Sequence, residues 1–142
     1  MNAEYSTVCP YLSIRDMDVQ IEFLVKVFGA SIKEQLRMPD GTTHHAEVKI
    51  GDTVLMLGKL SNEKPPQPSA NYVFVKDADN TYQLAMQNGA AEISKPDDKF
   101  YGIREAGFKD LESNTWWIGQ QIRDVSIKEM EEGLAKKIDI KE

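Results

Sequence analysis

Both histidines of the chain lie in one short segment, His44-His45-Ala46-Glu47, which is the strongest candidate for chemistry. Residues two apart on a strand share a face, so His45 and Glu47 point the same way and His44 points the other way. An imidazole and a carboxylate on one face can ligate a divalent metal or orient a ligand through hydrogen bonds. Two ligands make an incomplete metal site. The pattern therefore favours a polar strand edge or a site that orients a ligand.

A second candidate cluster is the segment Phe100-Tyr101-Gly102-Ile103-Arg104. Tyr101 and Arg104 could close over a cavity, with the guanidinium pairing an acidic group of a ligand or stacking on its ring. Alternatively, Phe100 plugs the open end of a sheet and Arg104 bridges to a surface carboxylate. The segment alone favours neither interpretation.

The single cysteine, Cys9, excludes an intramolecular disulfide and a multi-cysteine zinc site. We interpret Cys9 as a small buried hydrophobe, because as a nucleophile it would need a histidine base from another strand. The chain also carries no Gly-rich phosphate loop and no Ser-His-Asp order.

Charge and hydropathy restrict the partners. The chain has 142 residues, with 17 basic and 23 acidic side chains and a net charge of −6. This balance argues against nucleic acid and suits a neutral or cationic small molecule. No apolar run has the length of a membrane span, and the N-terminal sequence has no basic-then-apolar secretory pattern. We therefore expect a cytoplasmic protein with no membrane partner.

An internal repeat organises the elements that must position these residues. YLSIRDMD, from Tyr11, returns sixty-one positions later as YVFVKDAD, from Tyr72. Each copy predicts a strand and an aspartate helix cap, followed by a helix that stops near a glycine and then by three strands separated by turns. Both halves therefore read βαβββ.

The pattern predicts an α+β fold in a single domain over residues 1–142. Two βαβββ modules, about 5–60 and 69–121, would form an eight-stranded, incompletely closed barrel or groove with the helices outside. A proline-containing linker spans about 59–69. The capping box Ser126-Ile127-Lys128-Glu129 predicts a C-terminal helix over about 126–138, which would dock on its own sheet or on a second subunit.

Strand alternation separates two faces. One face is apolar and suited to packing under helices: Leu12, Ile14, Leu55, Leu57, Val73, Val75, Trp116 and Ile118. The other is aromatic, small or soft and would face the cavity: Cys9, Tyr11, Ser13, Met56, Gly58, Tyr72, Phe74, Trp117 and Gly119. Aromatic stripes are usually core, but here the opposite face already supplies a core, which favours a binding role.

Four segments resemble one known superfamily: YLSIRD, the helix end FGA, MPDGTTHHAEVKIGDTVLML and FYGIREAGFKDLESNTWWIGQQIRDVS. Together they resemble the vicinal oxygen chelate superfamily of glyoxalase I, bleomycin resistance proteins and extradiol dioxygenases, and within it the PhnB-like branch. The resemblance implies paired βαβββ modules around a cavity. It also implies pairing of modules between chains, which favours a homodimer.

The enzymes of that superfamily bind a divalent metal through His and Glu on the first and fourth strands of each module. The resemblance places those positions at Cys9, Met56, Ala70 and Trp117, and the same sixty-one residue spacing relates them in pairs. None is His, Asp or Glu, which argues against glyoxalase or dioxygenase chemistry and predicts a protein without metal or cofactor.

Two functional hypotheses follow. The first is a metal-free, non-enzymatic protein that binds a small organic molecule, with no catalytic residue, through Cys9, Tyr11, His45, Glu47, Met56, Tyr72, Phe74, Tyr101, Arg104 and Trp117. The second is a lyase or isomerase with a relocated site at His45, Glu47 and Arg104.

Overall fold

The computed structural model of the protein describes residues 5–141. The first module comprises β1 (Tyr11–Ile14), α1 (Met17–Phe28), β2 (Ser31–Arg37), β3 (Thr43–Ile50) and β4 (Thr53–Lys59). The second comprises β5 (Ala70–Phe74), α2 (Ala78–Gln87), β6 (Ala91–Asp98), β7 (Ile103–Lys109) and β8 (Thr115–Gln121). A terminal helix, α3 (Ile127–Lys141), follows. These elements confirm the α+β class, the two βαβββ modules and the C-terminal helix, while the extent of the domain stays a prediction.

The strands form two four-stranded sheets and no closed barrel within the described part of the chain. Sheet 1 has the order β1-β4-β3-β2, and sheet 2 has the equivalent order β5-β8-β7-β6. In each sheet the leading strand pairs in parallel with the last strand of its module, and the register pairs Tyr11 with Met56 and Tyr72 with Trp117. The repeat therefore corresponds to a duplicated sheet.

Aspartates cap the helices in both copies of the repeat. The Asp16 carboxylate accepts the backbone N–H of Val19 at 3.3 Å, and the Asp77 carboxylate accepts that of Asn80 at 3.0 Å. An aspartate at this position satisfies an N–H group that has no partner within the helix. Gly29 ends α1 at φ 66°, a left-handed conformation in which a side chain is strained.

The core lies around α1 and α2, between the two sheets. α1 packs on its own sheet through Leu24 and Ile21, and its last turn reaches sheet 2, where the Phe28 ring lies 5.0 Å from Trp116 and 6.2 Å from Phe108 between centroids. One continuous core thus contains the inner faces of both sheets. The helices α1 and α2 cover one face of each sheet and leave the opposite face uncovered by either of them.

The helix-facing set predicted from strand alternation occupies this core. Leu12, Ile14, Leu55, Leu57, Trp116 and Ile118 are fully buried, and Val73 and Val75 are partly buried against the same cluster. Burial of such side chains provides most of the stabilisation of the fold, at about 25 cal/mol per Å² of apolar surface.

A buried carboxylate connects the two modules. Asp110, 6% exposed, accepts the Gln20 side-chain amide of α1 at 2.8 Å and the Trp116 indole N–H at 2.7 Å. Its other oxygen accepts the backbone N–H groups of Glu112 and Asn114, both at 2.9 Å. Asp110 therefore shapes the turn between β7 and β8 and holds α1 against sheet 2.

The helix α3 packs at one end of sheet 2. Gly133 lies against the Phe100 ring, so closely that a Cβ there would be 2.6 Å from a ring carbon. Ile127, Leu134 and Ile138 of α3 remain exposed. No helix of residues 5–141 combines the length and apolarity needed to cross a membrane.

We expect Asp110→Ala to lower the free energy of unfolding by about 3 kcal/mol, because the substitution leaves the Trp116 and Gln20 donors buried without an acceptor. Urea unfolding followed by circular dichroism measures the change. Asp52→Ala, in the exposed turn between β3 and β4, is the control and should change stability by less than about 0.5 kcal/mol. Equal effects of the two substitutions would contradict this role of Asp110.

Candidate ligand-binding site

The face of each sheet that points away from α1 and α2 forms an open face. On sheet 1 it carries Tyr11, His45, Glu47, Met56 and Gly58. On sheet 2 it carries Tyr72, Phe74, Glu105, Gly107, Trp117 and Gly119. Tyr11, Tyr72 and Phe74 are 59%, 44% and 73% exposed, which is unusual for large rings in the middle of a fold.

A tyrosine lies across a glycine on both open faces. A Cβ on Gly58 would come within 1.9 Å of the Tyr11 hydroxyl oxygen, and one on Gly119 within 2.3 Å of the Tyr72 hydroxyl oxygen. Both pairs are separated by the spacing of the repeat. The duplicated contact lets each ring lie flat on its sheet, because glycine leaves room for it.

Glu47 is the centre of a polar cluster on sheet 1. Its side chain is almost fully buried and accepts a short hydrogen bond from the Tyr5 hydroxyl. Lys33 Nζ lies 3.6 Å from one carboxylate oxygen, and His45 Nε2 lies 3.5 Å from the other. The Tyr5 hydrogen bond, followed by His45 and Lys33, holds the pKa of Glu47 below its usual value, whereas the same bond raises the pKa of Tyr5.

Glu105 occupies the comparable place on sheet 2. Tyr72 and Tyr101 each donate their hydroxyl to one of its carboxylate oxygens, at 2.8 and 2.7 Å. Burial, and then the Glu105 carboxylate, raise the pKa of both tyrosines. The Phe74 ring lies 5.2 Å from Tyr72, so Glu105 is bordered by aromatic rings.

Sequence reasoning did not identify Glu105 or Tyr5 as site residues. For Glu105 a signal existed, because strand alternation places it on the same face as Gly107 and opposite Arg104. For Tyr5 no local signal existed, since it lies before the first strand and 42 residues from its partner Glu47.

Trp117 and Met56 occupy equivalent central positions. The Trp117 indole covers Gly107, where a Cβ would lie 2.4 Å from a ring carbon. Met56 stands beside Tyr11 and opposite Glu47 in the register of sheet 1. Cys9 precedes β1, with its sulfur 3.4 Å from the Ser6 carbonyl oxygen, to which it donates.

Arg104 lies on the helix-facing side of sheet 2. Its guanidinium donates to both carboxylate oxygens of Asp79, at 3.0 and 3.1 Å, and to Asp98 at 2.8 Å. These ion pairs hold the guanidinium in place. The pairing raises the pKa of Arg104 and lowers that of Asp79. The structure thus separates Arg104 from His45 and Glu47, which lie on the open face of the other sheet.

The residues at the four metal-ligand positions of the superfamily do not fit a catalytic metal. They offer the Cys9 thiol, the Met56 thioether, the Ala70 methyl group and the Trp117 indole, whereas such metals prefer imidazole and carboxylate ligands. Within residues 5–141 no three His, Cys, Asp or Glu side chains come together as a metal-binding group.

The chain belongs to the Glyoxalase/Bleomycin resistance protein/Dioxygenase superfamily, whose family model matches residues 7–118. The uncharacterized protein Mb0911c of Mycobacterium bovis is 27% identical over 92% of this chain and 93% of its own length. TioX from Micromonospora sp. ML1 shares the fold, with a TM-score of 0.70, 24% identity and coverage of 82% of this chain and 98% of TioX.

The fold is also that of the PhnB protein from Bacillus cereus, a putative 3-demethylubiquinone-9 3-methyltransferase. The TM-score is 0.65 and the identity 15%, over 81% of this chain and 99% of the PhnB protein. This similarity agrees with the resemblance to the PhnB-like branch and extends to the fold alone.

We expect Gly107→Ala to displace the Trp117 indole from the open face of sheet 2, because the added methyl group would occupy the position of the ring. The tryptophan emission spectrum and the near-UV circular dichroism should change. Gly58→Ala, which displaces Tyr11 on the other sheet, is the control and should leave tryptophan emission unchanged. An unchanged Gly107→Ala spectrum would contradict the packing described here.

We expect Tyr5→Phe to destabilise the protein at pH 7 and to have a smaller effect at pH 3. The folded pKa of Glu47 lies below its unfolded value of about 4.3, so the ionised carboxylate stabilises the fold above that pH. This stabilisation disappears as the pH falls through the folded pKa. Removing the Tyr5 hydroxyl moves the folded pKa up towards the unfolded value and reduces the stabilisation.

Urea unfolding at the two pH values tests this expectation. Tyr11→Phe is the control, since the Tyr11 ring lies over Gly58, and it should show no such pH dependence. A Tyr5→Phe destabilisation of equal size at pH 7 and pH 3 would show that the pKa of Glu47 does not depend on Tyr5.

Proposed function

We propose that the protein binds a small organic molecule, without a metal, in an aromatic-lined cavity on the open faces of its sheets. The observation that carries the proposal is the pair of open faces, where Tyr11 and Tyr72 lie over glycines and remain exposed in a single chain. Exposed contiguous aromatic surface typically marks a binding site.

A second copy of the chain would complete the cavity. The helices α1 and α2 cover the inner faces and α3 reaches only one end of sheet 2, so most of both outer faces is available to a partner. Members of the superfamily typically bind small molecules and form dimers. In the proposed homodimer, the open face of one copy covers the open face of the other and the ligand lies between them.

The proposed ligand contacts lie on the open faces or at their border. They are Cys9, Tyr11, His45, Glu47, Met56, Tyr72, Phe74, Tyr101 and Trp117. Arg104, the tenth residue predicted from the sequence, could contribute only by releasing Asp79 and Asp98, which hold its guanidinium in the structure. In the described structure the Arg104 guanidinium therefore points away from the proposed site.

The alternative, a lyase or isomerase using His45, Glu47 and Arg104, has less support. Arg104 lies on the other sheet and the opposite face, so the three residues do not converge on one substrate position. The lowered pKa of Glu47 also makes its carboxylate a weak general base. His45 and Glu47 are better suited to orienting a ligand through hydrogen bonds.

We expect purified protein to be a dimer that binds ligands equally well before and after dialysis against a metal chelator. Sedimentation analysis gives the assembly, elemental analysis gives the metal content, and a thermal-shift and tryptophan-fluorescence screen of small aromatic molecules and antibiotics finds ligands. Stoichiometric zinc, nickel, iron or manganese would contradict metal-free binding. A screen in which nothing binds would contradict the proposed cavity.

For any ligand found, we expect Tyr72→Ala and Phe74→Ala to weaken binding by about tenfold each, because a buried aromatic contact typically contributes on the order of 1 to 2 kcal/mol. Val19→Ala, on the exposed side of α1, is the control and should leave the dissociation constant unchanged. Equal affinities for all three variants would place the ligand outside the open face of sheet 2.

A further inference from the structure

The Glu105 carboxylate lies within an aromatic surface on sheet 2. Tyr72 and Tyr101 each donate a hydrogen bond to one of its oxygens. The Tyr72 ring lies 5.2 Å from Phe74 between centroids, and Tyr101 and Phe74 line the same groove. Two tyrosine hydroxyls satisfy hydrogen bonds of the carboxylate but leave its negative charge in place.

That charge has no cationic partner in the part of the chain that the structure describes. None of the ion pairs formed within residues 5–141 involves Glu105. The neighbouring cation, Arg104, points to the opposite face and is held by Asp79 and Asp98. Glu105 is half-buried and faces the open side of sheet 2, so its carboxylate is accessible to a cation from outside the described residues.

The comparable carboxylate on sheet 1 is different. Glu47 lies within 4 Å of both Lys33 and His45, at 3.6 and 3.5 Å, so basic side chains surround it. Both open faces thus carry a glutamate bound by tyrosine, but among residues 5–141 only Glu47 forms ion pairs with basic side chains. The Glu105 carboxylate is therefore available to pair with a cation that is not part of the described chain.

A groove of about 650 Å³ lies beside Glu105, between sheet 2 and α3. Tyr101 forms part of its wall, together with apolar side chains such as Phe74 and Leu134. Its acidic lining residues are Asp124 and Glu131.

The basic residue in the same wall is Arg123, which donates to the Phe100 carbonyl at 3.2 Å and lies 4.0 Å from Glu129. The groove is therefore largely apolar and acidic on balance, and Tyr101 belongs both to its wall and to the hydrogen bonds of Glu105.

We propose that Glu105 and the rings of Tyr72, Tyr101 and Phe74 bind an organic ammonium ion. The carboxylate supplies the counter-charge, the ring faces attract the cation, and the groove accommodates the apolar body of the molecule. The inference rests on the proposed function and specifies its ligand class. The net charge of −6 acts in the same direction by attracting cations to the protein.

Three probes of one shape and different charge test the assignment: choline, the neutral 3,3-dimethylbutan-1-ol and the anionic 3,3-dimethylbutanoate. Titrations of the full-length protein followed by amide and Trp117 indole NMR signals give the dissociation constants. We expect choline to bind at least about tenfold more tightly than the neutral alcohol, and the anion to bind most weakly.

Glu105→Gln should remove the preference for choline over the alcohol while leaving the thermal unfolding temperature close to that of the unsubstituted protein. Glu92→Gln is the matched control, because Glu92 also accepts a tyrosine hydroxyl, from Tyr82, but lies away from the open face. It should retain the full preference. Tyr72→Phe and Tyr101→Phe keep the rings and the charge, so they should retain the preference as well.

Equal binding of choline and the alcohol, or a preference that persists in Glu105→Gln, would overturn the assignment and leave the proposed binding function intact. Tightest binding of the anion would overturn it too, as would a lack of binding by all three probes. The proposed function itself is refuted only when the wider ligand screen finds no binder, so the two failures are distinguishable.

Discussion

The packing of α1 and α2 between the two sheets is the constraint on which the rest of the structure depends. Phe28 at the end of α1 reaches Phe108 and Trp116 of sheet 2, and Asp110 accepts hydrogen bonds from both α1 and β8. The helices consequently cover the inner face of both sheets at once. Neither α1 nor α2 covers the outer faces, and α3 reaches only one end of sheet 2, so Tyr11, Tyr72 and Phe74 remain exposed within one chain. The same packing that completes the core therefore creates the surface proposed to bind a ligand.

The duplication explains which features the two open faces share and which they do not. Tyr11 over Gly58 and Tyr72 over Gly119 are equivalent contacts, preserved because each flat ring requires a glycine beneath it. The charges differ: Glu47 is surrounded by Lys33 and His45, whereas Glu105 is bound by tyrosines alone in the described chain. The two modules thus differ in charge: the carboxylate on sheet 1 is paired with basic side chains, and the one on sheet 2 is not paired within the described residues. The proposed homodimer would bring the two faces together around one cavity.

Membership of the superfamily accounts for the fold of this chain but not for its chemistry. The positions that ligate metal in its enzymes hold Cys9, Met56, Ala70 and Trp117, and two of these side chains instead belong to a soft, aromatic surface. In the proposed binding site, Met56 and Trp117 supply apolar contact area. The polar groups that remain on the open faces, such as His45, Glu47 and Glu105, suit orientation and charge recognition rather than Lewis-acid catalysis.

Local periodicity in the sequence was sufficient to predict the strands, the two helices with their aspartate caps and the C-terminal helix. It also predicted which residues of each strand lie on which face. These features depend on residues near one another in the chain. The tertiary structure alone decided the contacts between distant residues: Tyr5 with Glu47, Asp110 with Gln20, and the helices between the sheets. Arg104 shows the limit most clearly. Its charge made it a candidate for the cavity, but in the structure Arg104 points towards Asp79 on the helix-facing side, whereas the next residue, Glu105, lies on the open face. Alternation indicates which residues share a face. Which of residues 5–141 lie near Glu105, by contrast, depends on the contacts that folding makes between distant parts of the chain.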